Sequence, residues 1–309
     1  MGTTITVVIP TFKRLDYLQQ AIASVCQQTW QDFECLVIND YPADAIAIEA
    51  LIASFQDNRL RLINHQVSGG GNAARNTGIK TAAGEIIAFL DDDDSWMPDK
   101  LERHFERHQA RPQVGVVFSG LLKRWTGDII PAYLVKGRLP SEGVAAAMRQ
   151  GKFCPLTTSA VSVRRECFES CGLFDTELAS FQDWDMWYRL AKQYDFDCIT
   201  DDLLVFRQHL GDRTSKTKER RFLGLKQLID KWQADLADPQ QFAELFIKDT
   251  YVNSVYDSIL RSQLKAALQD WYTLLKLSKT TTDFSQLTKL FVMGTIGAKN
   301  YGRLSKKTR

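Results

Sequence analysis

The first 120 residues alternate short apolar runs with segments whose apolar residues recur at helical spacing. This alternation is the strongest constraint on the fold. Strands separated by helices need crossover connections and form a largely parallel sheet covered on both faces. We therefore predict an α/β protein whose ligands bind beyond the carboxyl ends of the strands. The predicted strands are Ile5–Ile9, Glu34–Ile38, Arg59–Ile63, Glu85–Leu90 and Val114–Phe118.

The pattern changes along the rest of the chain. Residues 120–210 are less regular and include a tryptophan-rich helix that begins near Asp183. From Glu219 to Leu277 the apolar spacing is helical almost throughout, and Asp238-Pro239 separates two of these helices. We predict a helical C-terminal region over residues 216–309, after a larger domain over residues 1–215.

Composition excludes several classes of protein. With 39 Lys and Arg against 37 Asp and Glu the formal charge is +2, so bulk electrostatics does not favour a nucleic-acid partner. No apolar run approaches 18 residues, and the N-terminus lacks the pattern of a signal peptide. The six cysteines show no CxxC pair and have apolar neighbours. These features predict a cytoplasmic protein with buried free thiols.

The C-terminus carries a basic cluster. It follows the apolar segment 289–294 and consists of Lys299, Arg303, Lys306, Lys307 and Arg309. Such a segment can lie on the anionic inner face of a membrane, which would make the protein peripheral there. The alternative is a solvated basic terminus.

The most specific local signal is the run of four aspartates Asp91–Asp94 directly after an apolar strand. Like charges about 4 Å apart repel by about 4 kcal/mol at an effective dielectric constant near 20. A divalent cation offsets this repulsion, since hard cations prefer oxygen ligands and can also hold phosphate oxygens. The alternative is a solvated acidic turn before a helix, which we predict to begin at Pro98.

A second acid, Asp40, follows the second predicted strand. A carboxylate there can accept the N–H of a nucleobase edge such as that of uracil. The alternative is a local cap or Asx-turn before Pro42. Two acidic strand ends on one edge of a sheet favour a ligand site.

A glycine-rich segment, 68–78, lies between these two acids in the chain. Gly69, Gly71 and Ala74 match the dinucleotide-binding pattern G-x-G-x-x-A. That pattern normally occupies the first strand-to-helix turn, whereas two such units precede it here. We therefore interpret the segment as a glycine loop beside a diphosphate, with Arg75 as the countercharge. A surface ion pair is the alternative role for Arg75.

Together these segments resemble glycosyltransferase family 2, which has the GT-A fold. The resemblance covers about residues 4–215, and its specificity comes from the order and spacing of the segments. It implies a Rossmann-like mixed sheet flanked by helices, with a nucleotide-sugar-binding half over 1–120 and an acceptor-binding half over 121–215. The matching segments are Val8–Arg14, Val37–Asp40, Gly71–Gly78, Gly84–Trp96, Phe181–Leu190 and Phe206–His209.

The resemblance implies roles for individual residues. The nucleotide-sugar donor would be bound by Pro10, Thr11, Arg14, Asp40, Arg75 and Asp92. A Mn²⁺ or Mg²⁺ ion would be held by the DxD-like Asp91 and Asp93, with His209 as a further ligand to metal or diphosphate. Asp183 matches the position of the general base. Asp94 matches a variable position and receives no role.

Two positions depart from the family pattern. The usual Glu-Asp pair before the acceptor-site helix is Gln182-Asp183, which leaves one carboxylate as the base, and the second-strand Asp-Asp is Asn39-Asp40. The QxxRW signature of processive members is absent from the sequence. The implied activity is non-processive, inverting transfer of a sugar, with a UDP-sugar favoured, to a hydroxyl of a saccharide or glycolipid.

Other interpretations stay open at this point. A metal-dependent sugar nucleotidyltransferase also uses acids at a sheet edge, although it usually begins with a glycine- and arginine-rich loop. A non-catalytic nucleotide-sugar-binding protein is a further alternative. Asp183 alone could cap its helix, and Trp184 and Trp187 suit core packing better than an acceptor pocket.

Overall fold

The computed structural model of the chain describes residues 4–125, 133–208, 217–261 and 263–277. Within these ranges there are nine strands and ten α-helices. The strands are β1 (Ile5–Thr11), β2 (Phe33–Asn39), β3 (Leu60–Asn64), β4 (Ile86–Phe89), β5 (Ser95–Trp96), β6 (Val114–Trp125), β7 (Tyr133–Val135), β8 (Val161–Arg164) and β9 (Asp195–Gln208). The helices are α1 (Leu15–Cys26), α2 (Ala45–Ser54), α3 (Gly70–Thr81), α4 (Lys100–Ala110), α5 (Val144–Arg149), α6 (Glu166–Cys171), α7 (Gln182–Ala191), α8 (Lys218–Trp232), α9 (Pro239–Leu260) and α10 (Leu264–Leu277).

The strands form one mixed sheet in the order β3-β2-β1-β4-β8-β6-β9-β5, with β7 beside β6. The strands β3, β2, β1 and β4 are parallel, as the alternating pattern predicts. The expectation of a largely parallel sheet is wrong beyond β4, because β8 lies antiparallel between β4 and β6. The mixed Rossmann-like sheet with flanking helices that the family resemblance implies is confirmed.

The two faces of the sheet bury separate apolar clusters. Ile5, Val7 and Ile9 of β1 pack with α1, α2 and α4, whereas Val8 points to the opposite face and packs with α3 and α7. This division follows from the two-residue period of a strand. The sheet is therefore the central layer of the molecule, and its β-branched strands are buried on both sides.

The C-terminal helices extend one of these clusters. Leu228 and Trp232 of α8 and Phe242 and Phe246 of α9 belong to the same cluster as Trp187. Helix α9 begins at Pro239 with the Asp238 side chain as its N-cap, so the predicted break between the two helices is confirmed. The helical character of this region is confirmed for the described residues up to Leu277, and the boundary at residue 215 stays a prediction.

Several local expectations need correction. Pro98 is not the first residue of a helix, because α4 begins at Lys100 and the Pro98 carbonyl accepts a hydrogen bond from the Thr29 amide. The fifth predicted strand, β6, is much longer than its apolar run, since pairing with β9 extends it to Trp125.

The cysteines are less buried than their apolar neighbours predict. All six cysteines are free thiols, but Cys35 and Cys167 alone are fully buried, so burial of the other four was overestimated. Among the described helices none is both long and apolar enough to cross a bilayer. The basic C-terminal cluster lies outside the described residues.

Candidate active site

The carboxyl ends of three neighbouring parallel strands bring the first predicted residues together. Strands β2, β1 and β4 are adjacent in the sheet. Thr11 ends β1, Asp40 directly follows β2, and the aspartate run begins two residues after β4. Pro10 and Thr11 pair in register with Ile38 and Asn39, which fixes the relative position of these ends.

The end of β1 is tied directly to the aspartate run. The buried Asp92 carboxylate accepts hydrogen bonds from Thr11 Oγ1 at 2.9 Å and from Arg14 Nη1 at 2.9 Å. The same Arg14 nitrogen donates to Asp93 Oδ2 at 3.0 Å. Two predicted donor-binding residues therefore hold the acidic loop in place through one guanidinium and one hydroxyl.

Crowding and burial shift the pKa values of Asp92 and Arg14. Burial raises the pKa of Asp92 to about 6, although the charge of Arg14 opposes the shift, and neighbouring Asp93 adds to it. Burial would lower the pKa of Arg14, but the charges of Asp92 and Asp93 raise it above its ordinary value. Burial and the neighbouring carboxylates also raise the pKa of Asp94, so the loop resists full ionisation.

Asp94 is the most buried member of the run, with 1% of its surface exposed. Its Oδ2 accepts from Ser159 Oγ at 2.6 Å, and its Oδ1 accepts from the Arg207 amide at 3.0 Å. Ser159 Oγ in turn accepts from the Asp91 amide at 3.0 Å. Asp94 therefore ties the acidic loop to the segment before β8 and to the end of β9.

Asp40 anchors the glycine loop. Its two oxygens accept from Ser68 Oγ and from the amides of Gly69 and Gly70, each at 2.8 Å, and Oδ1 also lies 2.8 Å from His65 Nδ1. Burial opposes ionisation, but these hydrogen bonds hold the pKa of Asp40 below its usual range. The Asp40 carboxylate caps the turn into α3, not the turn before Pro42 that was the alternative.

Arg75 projects from α3 toward the acidic loop. Its Nη2 lies 2.5 Å from Asp91 Oδ1, and the guanidinium carbon is 5.8 Å from the centre of the Phe174 ring. Its buried Nε has no hydrogen-bond partner among the described residues. An ion pair is therefore present, but it is partly buried and lines the cavity, unlike the surface pair that was the alternative.

Asp183 lies in the first turn of α7, and its pKa is raised by burial. The amide of Trp184, which donates to Oδ1 at 2.9 Å, and the charge of Arg75 oppose that shift. The N-cap residue is Phe181, in the left-handed region at φ 62°. The carboxylate therefore satisfies one amide of the helix and is also coupled electrostatically to the acidic edge.

One cavity of about 1450 Å³ connects these groups. Ligand pockets usually measure about 300–1,000 Å³, so this cavity is larger than a typical site for one small ligand. It is lined by nine of the ten predicted site residues: Pro10, Thr11, Arg14, Asp40, Arg75, Asp91, Asp92, Asp93 and Asp183. The tenth, His209, lies outside the described residues.

Several residues of the site have no counterpart in the sequence predictions. His65 bridges Asp40 and Thr77 Oγ1, and its position directly after β3 is a signal that could have identified it. Ser159 and the cavity-lining residues of α8 and α9 carry no such signal, because long-range packing alone brings them here. Of the two tryptophans of α7, Trp187 is buried in the core, whereas Trp184 lines the cavity.

The donor set at the acidic edge fits a divalent cation. In the described part of the chain no group of three His, Cys, Asp or Glu side chains forms a ready metal cage. Mg²⁺ in nucleotide-using enzymes is usually held by one or two carboxylates together with substrate phosphates. Asp91 and Asp93 both line the cavity and supply hard oxygen ligands of that kind.

Comparison with known sequences gives a family match. The family model described as glycosyl transferase family 2 matches residues 6–166, more than half of the chain. An uncharacterized glycosyltransferase of Rickettsia conorii is 28% identical over 239 residues, which cover 72% of this chain and 36% of that protein. The chain thus spans about a third of the length of that relative.

Two further proteins extend the comparison. The UDP-Glc:alpha-D-GlcNAc-diphosphoundecaprenol beta-1,3-glucosyltransferase WfgD of Escherichia coli is 36% identical over 98 residues, or 32% of this chain and 38% of that one. The structure of the mannosyltransferase PcManGT from Pyrobaculum calidifontis, in complex with GDP-Man and Mn²⁺, aligns with a TM-score of 0.57 and 17% identity. It covers 98% of this chain and 83% of that chain. That likeness shows a shared fold.

Proposed function

The chain belongs to glycosyl transferase family 2, and from this premise we propose that it transfers a sugar from a nucleotide-diphosphate donor to an acceptor hydroxyl. The observation that carries the proposal is the single cavity that holds the acidic edge, the glycine loop and Asp183 together. A UDP-sugar is the favoured donor, and a saccharide or glycolipid is the acceptor. The Escherichia coli relative, which uses UDP-Glc and a diphosphate-linked GlcNAc acceptor, supports both assignments.

We assign the donor to the sheet edge formed by β1, β2 and β4. Pro10, Thr11 and Asp40 lie where the nucleoside would bind, and Asp92 would contact the ribose. Arg14 and Arg75 supply positive charge for the diphosphate. The unpartnered buried Nε of Arg75 supports this role, because an unsatisfied buried N–H is costly unless a ligand accepts its hydrogen bond.

Asp91 and Asp93 would hold a Mn²⁺ or Mg²⁺ ion, with His209 as a further ligand. The ion would supply positive charge that stabilises the leaving nucleoside diphosphate. The crowded carboxylates support this assignment, since burial and mutual repulsion raise the pKa of Asp92 to about 6. The Mn²⁺ in the complex of the structurally similar mannosyltransferase is in keeping with it.

Asp183 would be the general base. Its ionised carboxylate would take the proton of the acceptor hydroxyl while the hydroxyl oxygen forms a bond to the anomeric carbon and the bond from that carbon to the phosphate oxygen breaks. The electron pair leaves with the nucleoside diphosphate. Direct displacement from the opposite face inverts the anomeric configuration, and the single carboxylate at this position is consistent with such a step.

Product analysis tests the proposed function. The protein is incubated with Mn²⁺, a synthetic GlcNAc-diphosphate-alkyl acceptor and UDP-Glc, UDP-GlcNAc or GDP-Man. We expect free nucleoside diphosphate and an equal amount of glycosylated acceptor with at least one donor. A parallel incubation with a nucleoside triphosphate and a sugar 1-phosphate, in which a nucleotidyltransferase forms the nucleotide sugar and releases pyrophosphate, should release none; pyrophosphate there would indicate a nucleotidyltransferase instead. Donor binding without any product across a broad acceptor panel would indicate a binding protein.

A further inference from the structure

The C-terminal helices form one wall of the cavity that contains Asp183. Arg220 and Arg221 of α8 and Leu245 and Phe246 of α9 line it. The Phe246 ring packs 5.2 Å from that of Phe181 and 4.8 Å from that of Trp184, on either side of Asp183 in the chain. The wall therefore adjoins the base and belongs to the acceptor end of the cavity.

One positive charge on this wall has no partner within the part of the chain that the structure describes. Arg221 donates to Asp249 at 3.0 Å and to Thr250 Oγ1 at 3.1 Å, so its charge is neutralised within the helices. The exposed Arg220 uses its amide to bond the Thr217 cap, and its guanidinium contacts no partner among the described residues. Arg220 also lies in the first turn of α8, where the helix dipole disfavours a cation. The stability of α8 therefore gives no reason for an arginine at position 220.

Apolar side chains lie on the same cavity surface. Leu156 and Leu245 both line the cavity, yet they keep 38% and 44% of their surface exposed to solvent. Burying the apolar surface of an exposed leucine against a ligand contributes about 25 cal/mol of binding free energy per Å². A surface that combines an unpaired guanidinium with exposed leucines suits a ligand that is both anionic and apolar.

We propose that this wall is a subsite for the acceptor's aglycone, and that the aglycone is a hydrocarbon chain joined to the sugar through phosphate. Arg220 binds the phosphate oxygens by charge-assisted hydrogen bonds, and Leu156 and Leu245 contact the first carbons of the chain. The inference rests on the proposed glycosyl transfer and names the class of acceptor. The helical region then selects the acceptor, whereas the sheet edge binds the donor.

Calorimetry with a sugar-free probe tests the subsite. The protein is first saturated with UDP and Mn²⁺, which occupies the donor end, and is then titrated with undecyl phosphate below its micelle concentration. We expect binding of undecyl phosphate and much weaker binding of methyl phosphate and of neutral undecyl glucoside. Arg220→Gln should weaken binding about tenfold or more, and Leu245→Ser should weaken it as well.

Lys226→Gln is the matched control, because Lys226 is an exposed cation of the same helix that does not line the cavity. It should leave the affinity for undecyl phosphate unchanged. Equal affinity in the Arg220 and Lys226 variants, or no binding by the wild type once UDP is bound, would overturn the subsite. Failure of UDP itself to bind would instead count against the proposed function.

Discussion

At the scale of single residues, Asp183 has the environment expected of a general base. Burial raises the pKa of this carboxyl, and a carboxylate with a raised pKa is a stronger base. The carboxylate also lines the cavity shared with the acidic edge. Its Oδ1 accepts a hydrogen bond from the Trp184 amide, which fixes the orientation of the carboxylate.

Asp183→Asn should fold, bind donor and metal as the wild type does, and lose at least about a hundredfold in turnover, the usual contribution of a general base. The measurement is nucleoside diphosphate release under saturating donor, together with a melting curve. Asp230→Asn, at an exposed position of α8, is the matched control and should retain full turnover. Full turnover in the Asp183 variant would remove this residue from the base role.

The resemblance identified most of the polar residues of the candidate site, but not their contacts. Asp91–Asp93 and Asp40 were identifiable because they follow apolar strands whose ends meet at one edge. The bridge from Arg14 to Asp92 and Asp93 was not, because a motif gives the residue and not its partner. Ser159, which links Asp94 to the Asp91 amide, lies in a segment without any motif.

At the scale of elements, helix α4 buries one basic face against β6 and β8. Lys100 Nζ lies 2.9 Å from His104 Nε2, and both His104 and His108 contact Ser162 Oγ. Burial, followed by the charge of Arg164, lowers the pKa of His108 to about 4, and burial also lowers the pKa of Lys100 and His104. Both histidines are therefore neutral in the folded protein at neutral pH.

This arrangement predicts a loss of stability in acid. Between pH 6.5 and pH 4 the unfolded chain binds a proton at His108 that the folded chain does not. The free energy of unfolding therefore falls as the pH is lowered. His108 should contribute a loss of about 2 kcal/mol between pH 7 and pH 5. Urea unfolding at both values should show a smaller pH-dependent loss in His108→Gln than in the wild type, and equal losses would contradict the assignment.

Helix α8 approaches the segment before Asp183 very closely at Gly224. A Cβ at this position would lie 2.5 Å from the Ser180 nitrogen and 2.7 Å from the Ser180 Cβ. Although alanine favours a helix over glycine by about 1 kcal/mol, Gly224→Ala should destabilise the protein by about 1–3 kcal/mol through overpacking. It should also lower turnover, because Ser180 is three residues from the base.

The measurements for Gly224→Ala are the melting temperature and kcat. Leu223→Ala, at the neighbouring position with 52% of its surface exposed, is the control and should change neither by much. A Gly224→Ala protein that is more stable than the wild type and fully active would show that the close contact has no role in positioning Asp183.

The alternating pattern predicted the elements of the parallel half better than those that follow it. The parallel direction of β3, β2, β1 and β4 was predicted from the alternation of strands and helices, whereas their order in the sheet was not. The insertion of β8 between β4 and β6 could not be predicted, because its pairing joins residues far apart in the chain. The extension of β6 depends likewise on its partner β9.

At the scale of the whole molecule, the described part of the helical region is built into the core. Trp232 packs 4.1 Å from the Tyr188 ring, and Lys231 pairs with Asp175 and the fully buried Asp185. Helical periodicity predicts which face of α8 is buried, but not the α7 surface against which it packs. The contribution of these helices to the cavity was for that reason absent from the sequence predictions.

A fragment that ends at residue 216 should therefore fail to fold cooperatively. Removing α8 and α9 exposes the apolar cluster that includes Trp187, and it leaves Asp185 without the Lys231 charge. We expect aggregation or a broad thermal transition for the fragment, against one sharp transition for the full chain. A fragment that melts cooperatively and still binds UDP would show that the helices form a separate unit.

The central claim is that the aspartate edge binds a nucleotide through a divalent cation. Calorimetric titration of the chain with UDP and with GDP, in Mn²⁺ and in EDTA, tests it most directly. Asp93→Ala and the exposed Asp230→Asn are titrated alongside. The account predicts that at least one nucleotide binds the wild type and the Asp230 variant in Mn²⁺ only, and that Asp93→Ala binds neither. Equal affinity with and without the metal, or undiminished binding by Asp93→Ala, would contradict it.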